Sequence, residues 1–282
     1  MDELTTFFEL SFHGRSLSLE HPRVMGILNV TPDSFHDGSR VSSLQEIIDR
    51  AGNMLEQGAD ILDIGGQSTR PGATRISAAE EIERVLPGLT AVRKHFPQSA
   101  ISIDTFYADV AAESCRNGAD IINDISGGTM DSGMFATAGA LGLPYILTHI
   151  QGEPQTMQVQ PAYEDVTGEI VNYFTHNIQR LQANGVEQIV LDPGFGFGKL
   201  ATHNLQILRN LHVFSTLGYP VLAGLSRKKT LQAIIHSDAA HALNITTSAN
   251  TIALLHGASI LRVHDVKEAV ETVALYRAMA EA

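Results

Sequence analysis

The chain has 282 residues, 44% of them hydrophobic, and a formal net charge of −12. That length and apolar share supply one large core, and the acidic balance excludes nucleic acid as the main partner, because a phosphate-binding face needs clustered Lys and Arg. No run reaches the ~18 apolar residues that suggest a membrane span, and the start MDELTTFFEL lacks the basic and apolar regions of a leader, so a cytoplasmic chain with no membrane partner is expected.

Residues 1–23 read as a hairpin. Phe8, Leu10 and Phe12 alternate, His13-Gly14 turns, and Leu17 and Leu19 alternate back. From residue 24 onward, runs rich in β-branched residues alternate with helical patterns. The runs are 24–30, 60–65, 100–105, 120–126, 145–150, 188–194, 219–226 and 260–265. Between the first two, Ser43 and Glu46 form a capping box, Leu44, Ile47, Ile48, Ala51 and Leu55 share a face, and Gly58 is the stop. Ser77 and Glu80 repeat the cap before Ile82, Val85, Leu86 and Leu89. The lone Cys115 lies in a helical stretch beside Ala111 and Ala112 and reads as a buried, inert thiol. Gly-Ala-Asp precedes the second and fourth runs, and Gly-Ala-Ser the eighth, a recurring join between helix and strand. Eight such units favour a closed parallel barrel over an open sheet. The expectation is an α/β fold of one domain over 1–282: a (β/α)8 TIM barrel over 24–282, with the hairpin over 1–23 plugging its bottom.

In such a barrel the chemistry gathers at the C-terminal strand ends, where residues two apart share a face. In phase along the strands stand Met25, Ile27 and Asn29, then Ile61, Asp63 and Gly65, then Ser102 and Asp104. Ile121 and Asn123, Val190 and Asp192, and Ile260, Arg262 and His264 follow. One buried Asp is often structural, but a ring of polar ends at one level is a site. Asp63, Asp104, Asn123 and Asp192 need donors. A flat heterocycle with adjacent N–H groups, such as a 2-amino-4-oxo pyrimidine ring, supplies them as a fork. A divalent metal also satisfies carboxylates, but these are interspersed with Asn and lack a His cluster. Arg262 and His264, with Ser226-Arg227-Lys228-Lys229, form an opposite, cationic side suited to phosphate.

Two loops, 29–38 and 68–73, are rich in turn formers and carry the unusual Phe35 and Arg70. The segment 192–199 ends in Gly198-Lys199 but is no nucleotide loop. Pro193 stands where a P-loop needs Gly, and Leu200 where it needs Ser or Thr. It reads as a lid bearing Phe197. The 12 histidines show no metal-binding spacing.

These residues resemble the dihydropteroate synthases. The resemblance rests on Gly26-Ile27-Leu28-Asn29-Val30-Thr31-Pro32-Asp33-Ser34-Phe35, 68–72, 192–199, Ser226-Arg227-Lys228 and Arg262-Val263-His264-Asp265. It implies condensation of 6-hydroxymethyl-7,8-dihydropterin diphosphate with 4-aminobenzoate, with Mg2+, in a homodimer of the class that sulfonamides target, with helices near 242–256 and 266–280 as candidates for its interface. It also implies that Asp104, Asn123, Asp192 and Lys228 hold the pterin with Asp63 beneath. Thr69, Arg262 and His264 would hold the diphosphate, and Asn29 would face the metal. Phe35, Thr69, Arg70, Pro71, Phe197 and Ser226 would shape the aminobenzoate pocket. The chain departs from the family pattern at Gln67 (usually Glu), Lys229 (often Ser) and Thr148-His149-Ile150 (usually Met-rich). A pterin-binding methyltransferase-like barrel and a catalytically silent pterin-binding relative are the alternatives. The first has no need of Arg262-Val263-His264, and the second would not need Asn29, Thr69, Arg70 and Lys228.

Overall fold

The computed structural model describes residues 8–30, 40–67, 74–152, 156–157 and 161–282. The alternating start forms β1 (Glu9–Phe12) and β2 (Arg15–Ser18), an antiparallel pair. The alternating units follow as β3 (Arg23–Asn29), α1 (Arg40–Glu56), β4 (Ile61–Gly65), α2 (Ala78–His95), β5 (Ala100–Asp104), α3 (Ala108–Arg116), β6 (Ile121–Asp124), α4 (Met134–Leu141) and β7 (Tyr145–Thr148). The second half is α5 (Val166–Ala183), β8 (Ile189–Asp192), α6 (Ala201–Arg209), α7 (His212–Ser215), β9 (Val221–Ala223), α8 (Lys229–Ile234), α9 (Leu243–Leu255), β10 (Ala258–Val263) and α10 (Val266–Ala280). Strands β3 to β10 close into a parallel barrel in chain order, with β10 returning to β3. All eight expected strands are present. Every expected run except 60–65 ends one to three residues past its strand, because the chain bends there into the loop that carries the next helix.

Parallel strands covered by helices are apolar on both faces. Accordingly Ile61, Leu62, Ile64, Ile101, Ile103, Ile121, Ile122, Ile146 and Leu147 are all fully buried. The recurring Gly-Ala joins place Gly58, Gly118 and Gly257 at φ +99°, +108° and +89°, a region in which side chains are strained. Ser77 caps α2 as expected, accepting from the Glu80 amide at 3.2 Å. The cap expected at Ser43 is not there: α1 runs from Arg40, so Ser43 lies inside the helix. Cys115 is buried on α3, and burial pushes its thiol up to about 12, which keeps it protonated.

The hairpin packs Leu10 and Phe12 into the core and covers the N-terminal strand ends. Arg15 and Arg93 each reach a different oxygen of Asp120 at 2.6 Å, and Gln188 bonds both the amide and the carbonyl of Ser11. Among the described residues, no helix is long and apolar enough to cross a membrane.

Candidate active site

The register sets the polar ends at matching heights. Ile27 pairs with Asp63 and Asp63 with Ser102. Asn29 pairs with Gly65, Gly65 with Asp104, and Asp104 with Asn123. Further round, Thr148 pairs with Asp192. Gly65 matters locally, since a Cβ there would stand 3.3 Å from the Asp104 Cβ.

The side chains meet as these heights imply. Asn123 donates its amide to both oxygens of Asp63 at 3.2 Å. Arg262, from β10, donates to Asp63 through Nε at 2.7 Å and to Asp104 through Nη2 at 2.6 Å. The expectation of an acidic side facing a separate cationic side therefore needs correction. β10 closes the barrel beside β3, and its guanidinium spans the mouth to the carboxylates of β4 and β5 instead of standing apart. Asp63 is wholly buried and Asp104 keeps 11% of its side chain exposed.

Burial lifts the Asp104 carboxyl to about 7 against the pull of Arg262, and it raises Asp192 as well. Burial first and Arg262 second lower Lys228 to about 8. The residue His264 is exposed overall, yet partial burial of its ring, and then Arg262, hold the imidazole below its ordinary value. It is therefore a neutral donor or acceptor near pH 7, not the cation that the sequence suggested. Its amide donates to the Ser226 hydroxyl, and its Nδ1 lies 3.1 Å from the same oxygen. Lys228 sits 4.6 Å over the Phe197 ring, which places both at the mouth. Arg227 is spoken for elsewhere: it grips Asp265 through two nitrogens at 2.8 and 2.7 Å.

The segment 192–199 is not the lid that its glycines suggested. Phe195, Phe197 and Lys199 are buried, Gly196 donates to Asn204 Oδ1, and Gly198 O accepts from the Tyr163 hydroxyl. A loop fastened at this many points is a fixed wall. Phe35, Thr69, Arg70 and Pro71 lie outside the described residues. At the base of their second loop, Gln67 accepts from the Ile76 amide at 3.3 Å and donates to Thr74 O at 3.4 Å. A carboxylate could make only the first of these bonds.

Asn29 ends β3 half-buried. Among the described residues no group of three His, Cys, Asp or Glu could hold a metal. The donor chemistry at Asn29 is a single hard amide oxygen. Magnesium often keeps only one or two protein ligands and completes its shell with water and substrate phosphate, so this donor fits it as one contact.

Sequence reasoning missed two buried groups near the site. One is Lys199. The other is Glu81, fully buried on α2, with neither carboxyl oxygen hydrogen-bonded in good geometry among the described residues. Its signal was present, because Glu81 shares a helical stripe with buried Val85, Leu89 and Val92. Burial lifts its carboxyl to about 8, opposed by the Thr105 hydroxyl. A raised folded-state value means that the protonated acid favours the fold. That contribution is complete in acid and is lost as pH rises from the ordinary carboxylate range through about 8. Glu81→Gln should therefore match the parent in acid and exceed it by on the order of 2 kcal/mol above about pH 9. Thermal melts showing the same difference at both pH values would rule this out.

Comparison with known proteins agrees with this geometry. A family model described as pterin binding enzyme matches residues 25–264. The dihydropteroate synthase of Escherichia coli (strain K12) is 44% identical over 272 residues, 96% of each chain. That of Haemophilus influenzae is 41% identical over 276 residues, 97% of this chain and 100% of the relative. A solved Yersinia pestis dihydropteroate synthase with a sulfonamide drug complex has a TM-score of 0.91 at 41% identity, covering 98% of this chain and 100% of its own. A Xanthomonas albilineans dihydropteroate synthase solved with 4-aminobenzoic acid gives 0.91 at 36% identity, with the same coverage.

Proposed function

The chain belongs to the dihydropteroate synthases, within the pterin-binding enzyme family, and we infer that its barrel mouth joins 6-hydroxymethyl-7,8-dihydropterin diphosphate to 4-aminobenzoate, giving 7,8-dihydropteroate and diphosphate. The observation that carries the residue-level reading is the Arg262 guanidinium lying across Asp63 and Asp104. A guanidinium is a planar fork of N–H donors, and so is the amino-pyrimidine edge of a pterin. Incoming pterin supplies its own fork to this acidic set, completed by Asn123 and Asp192, with Lys228 at the rim. Arg262 is then released toward the diphosphate, where a bidentate contact to phosphate replaces the one it gives up. His264 and Thr69 complete that diphosphate site.

The chemistry follows from the ring. The dihydropterin pushes electrons toward its exocyclic methylene, so the carbon–oxygen bond breaks with both electrons leaving on diphosphate. Arg262 meets the growing charge as a preorganised donor. Asp104 and Asp192 face the cationic ring left behind, whose charge draws their carboxyls toward the ionised form and is stabilised by them. The aniline nitrogen of aminobenzoate attacks the methylene carbon, and its proton passes to solvent. Phe197 and Ser226, with Phe35, Thr69, Arg70 and Pro71, line the pocket from which it attacks. Asn29 would hold magnesium, which when bound neutralises part of the diphosphate charge. No side chain serves as a nucleophile.

The same reading makes the protein a cytoplasmic homodimer. What supports the dimer is a strip of exposed apolar side chains on two neighbouring helices: Ile252 and Leu255 on α9, Leu275 and Met279 on α10. Leu275→Glu should shift the mass measured by light scattering from two chains to one, and a parent already monomeric refutes it. The function itself is tested by incubating the protein with the pterin diphosphate, labelled 4-aminobenzoate and magnesium. Labelled dihydropteroate is expected. Its absence from well-folded protein would overturn the reading.

A further inference from the structure

Lys199 is 3% exposed and touches neither substrate in the reading above. Its Nζ lies 2.9 Å from His149 Nδ1, 3.1 Å from His149 O, 2.9 Å from Gly194 O and 3.0 Å from Phe197 O. Three of these partners are backbone carbonyls, which only accept. An ammonium has a hydrogen for each of them, whereas a neutral amine has two and would leave Gly194 O to the Phe197 amide alone. With three hydrogens for four neighbours, the imidazole Nδ1 shares one of them. Burial first and Lys199 second pull His149 down to about 2, so the ring is uncharged. Burial pushes the Lys199 amine well below its ordinary value and Asp192 opposes that shift, so the carbonyl oxygens gathered round Nζ are what hold its charge. The arrangement is a coordination shell for a dehydrated monovalent cation, filled by a tethered one.

The shell reaches the site through a single peptide. Gly194 gives its carbonyl to Lys199 and its N–H to Asp192 Oδ1 at 2.7 Å. It sits at φ +68°, and a Cβ there would come 2.0 Å from His149 O, so only glycine brings this backbone so close. Phe197 donates its N–H to Gly194 O, gives its own carbonyl to Lys199, and carries Lys228 over its ring. One buried cation thus sets the turn that aims a carboxylate and an aromatic ring at the mouth.

We propose that Lys199 is a positioning residue whose ammonium acts as an internal ion, fixing the turn 192–197 and with it the Asp192 carboxylate offered to the pterin. The proposal rests on the pterin reading above. It explains why segment 192–199 ends in Gly-Lys without being a phosphate loop: the lysine faces inward to carbonyls.

The test is chemical rescue. Calorimetry with 6-hydroxymethyl-7,8-dihydropterin should show binding to Lys199→Ala weakened by about 100-fold, the scale expected when a site is displaced by about 1 Å. Ammonium chloride, small enough to refill the shell, should restore at least about tenfold of that loss, and tetramethylammonium chloride at equal concentration should restore none. Lys199→Met fills the space without charge, so it should bind as weakly and ignore ammonium. Should the alanine variant fail to fold, folding becomes the readout, with ammonium again required and tetramethylammonium again inert. The proposal is overturned if a folded variant binds within about threefold of the parent, or if the two salts act alike on Lys199→Ala. A parent that binds no pterin refutes the pterin reading instead, which is a separate result.

Discussion

Arg262→Met is expected to cost about 3–5 kcal/mol of folding stability, because removing one partner of a buried ion pair strands the other. Asp63 is wholly buried, and without the guanidinium it keeps, among the described residues, the Asn123 amide at 3.2 Å. The same substitution removes the donor assigned to the leaving diphosphate, which should lower turnover by about 10²–10³-fold. The two losses separate in the double variant. Adding Asp63→Asn removes the stranded charge and should recover most of the stability but none of the rate. Denaturant melts and steady-state assays on the three proteins decide it. A double variant as unstable as the single one refutes the stranded-charge account, and parent-like turnover in Arg262→Met refutes the diphosphate role.

Asp104→Asn should cost binding more than stability. The carboxyl is held at about 7 by burial, so its charge is already disfavoured in the folded chain. A neutral amide of the same shape relieves that penalty and Arg262 keeps its ion pair with Asp63, so the stability loss should be smaller than in Arg262→Met. Binding should not hold. The amide replaces one of the two accepting oxygens by an NH2 that meets the pterin's own donors and removes the charge, and hydrogen bonds to a charged group are worth about 1.5–3 kcal/mol, so kcat/KM for the pterin diphosphate should fall by about 100-fold. The loss should appear mainly in the pterin KM, with aminobenzoate less affected. An unchanged kcat/KM would remove Asp104 from the pterin site.

Much of this was legible in the chain because strand alternation is rigid. Once the eight runs are placed, period two puts Asp63, Asp104, Asn123, Asp192 and Arg262 inward, and the structure brings them together. What alternation cannot convey is which inward residues touch. Arg262 was grouped with phosphate-binding neighbours near it in sequence, whereas its partners lie on strands reached only by closing the circle. Lys199 was opaque for a different reason. Its partners are mostly backbone carbonyls, which every residue has, so no spacing announces them. Glu81 was readable as a charged group on an apolar stripe, but its sequence neighbours Glu80 and Glu83 are also acidic, which masks it. Gln67 shows the value of a single departure, since its amide donates and accepts at once across the base of a loop.

The closure of the barrel also fixes when the site can exist. Arg262 reaches Asp63 across 199 residues of chain and Asp104 across 158. β10 is the last strand made, and it must pair with β3, the first of the barrel. During synthesis the acidic set is therefore complete long before its counter-charge leaves the ribosome. Contacts of such high sequence separation form late, after the loop-closure entropy has been met. A nascent or C-terminally truncated chain would leave β3 as an open sheet edge and hold two carboxylates on the strands behind it, repelling each other with no guanidinium to reach them. Full-length closure is thus the event that turns a cluster of mutually repelling acids into a receptor, and fragments are left without one.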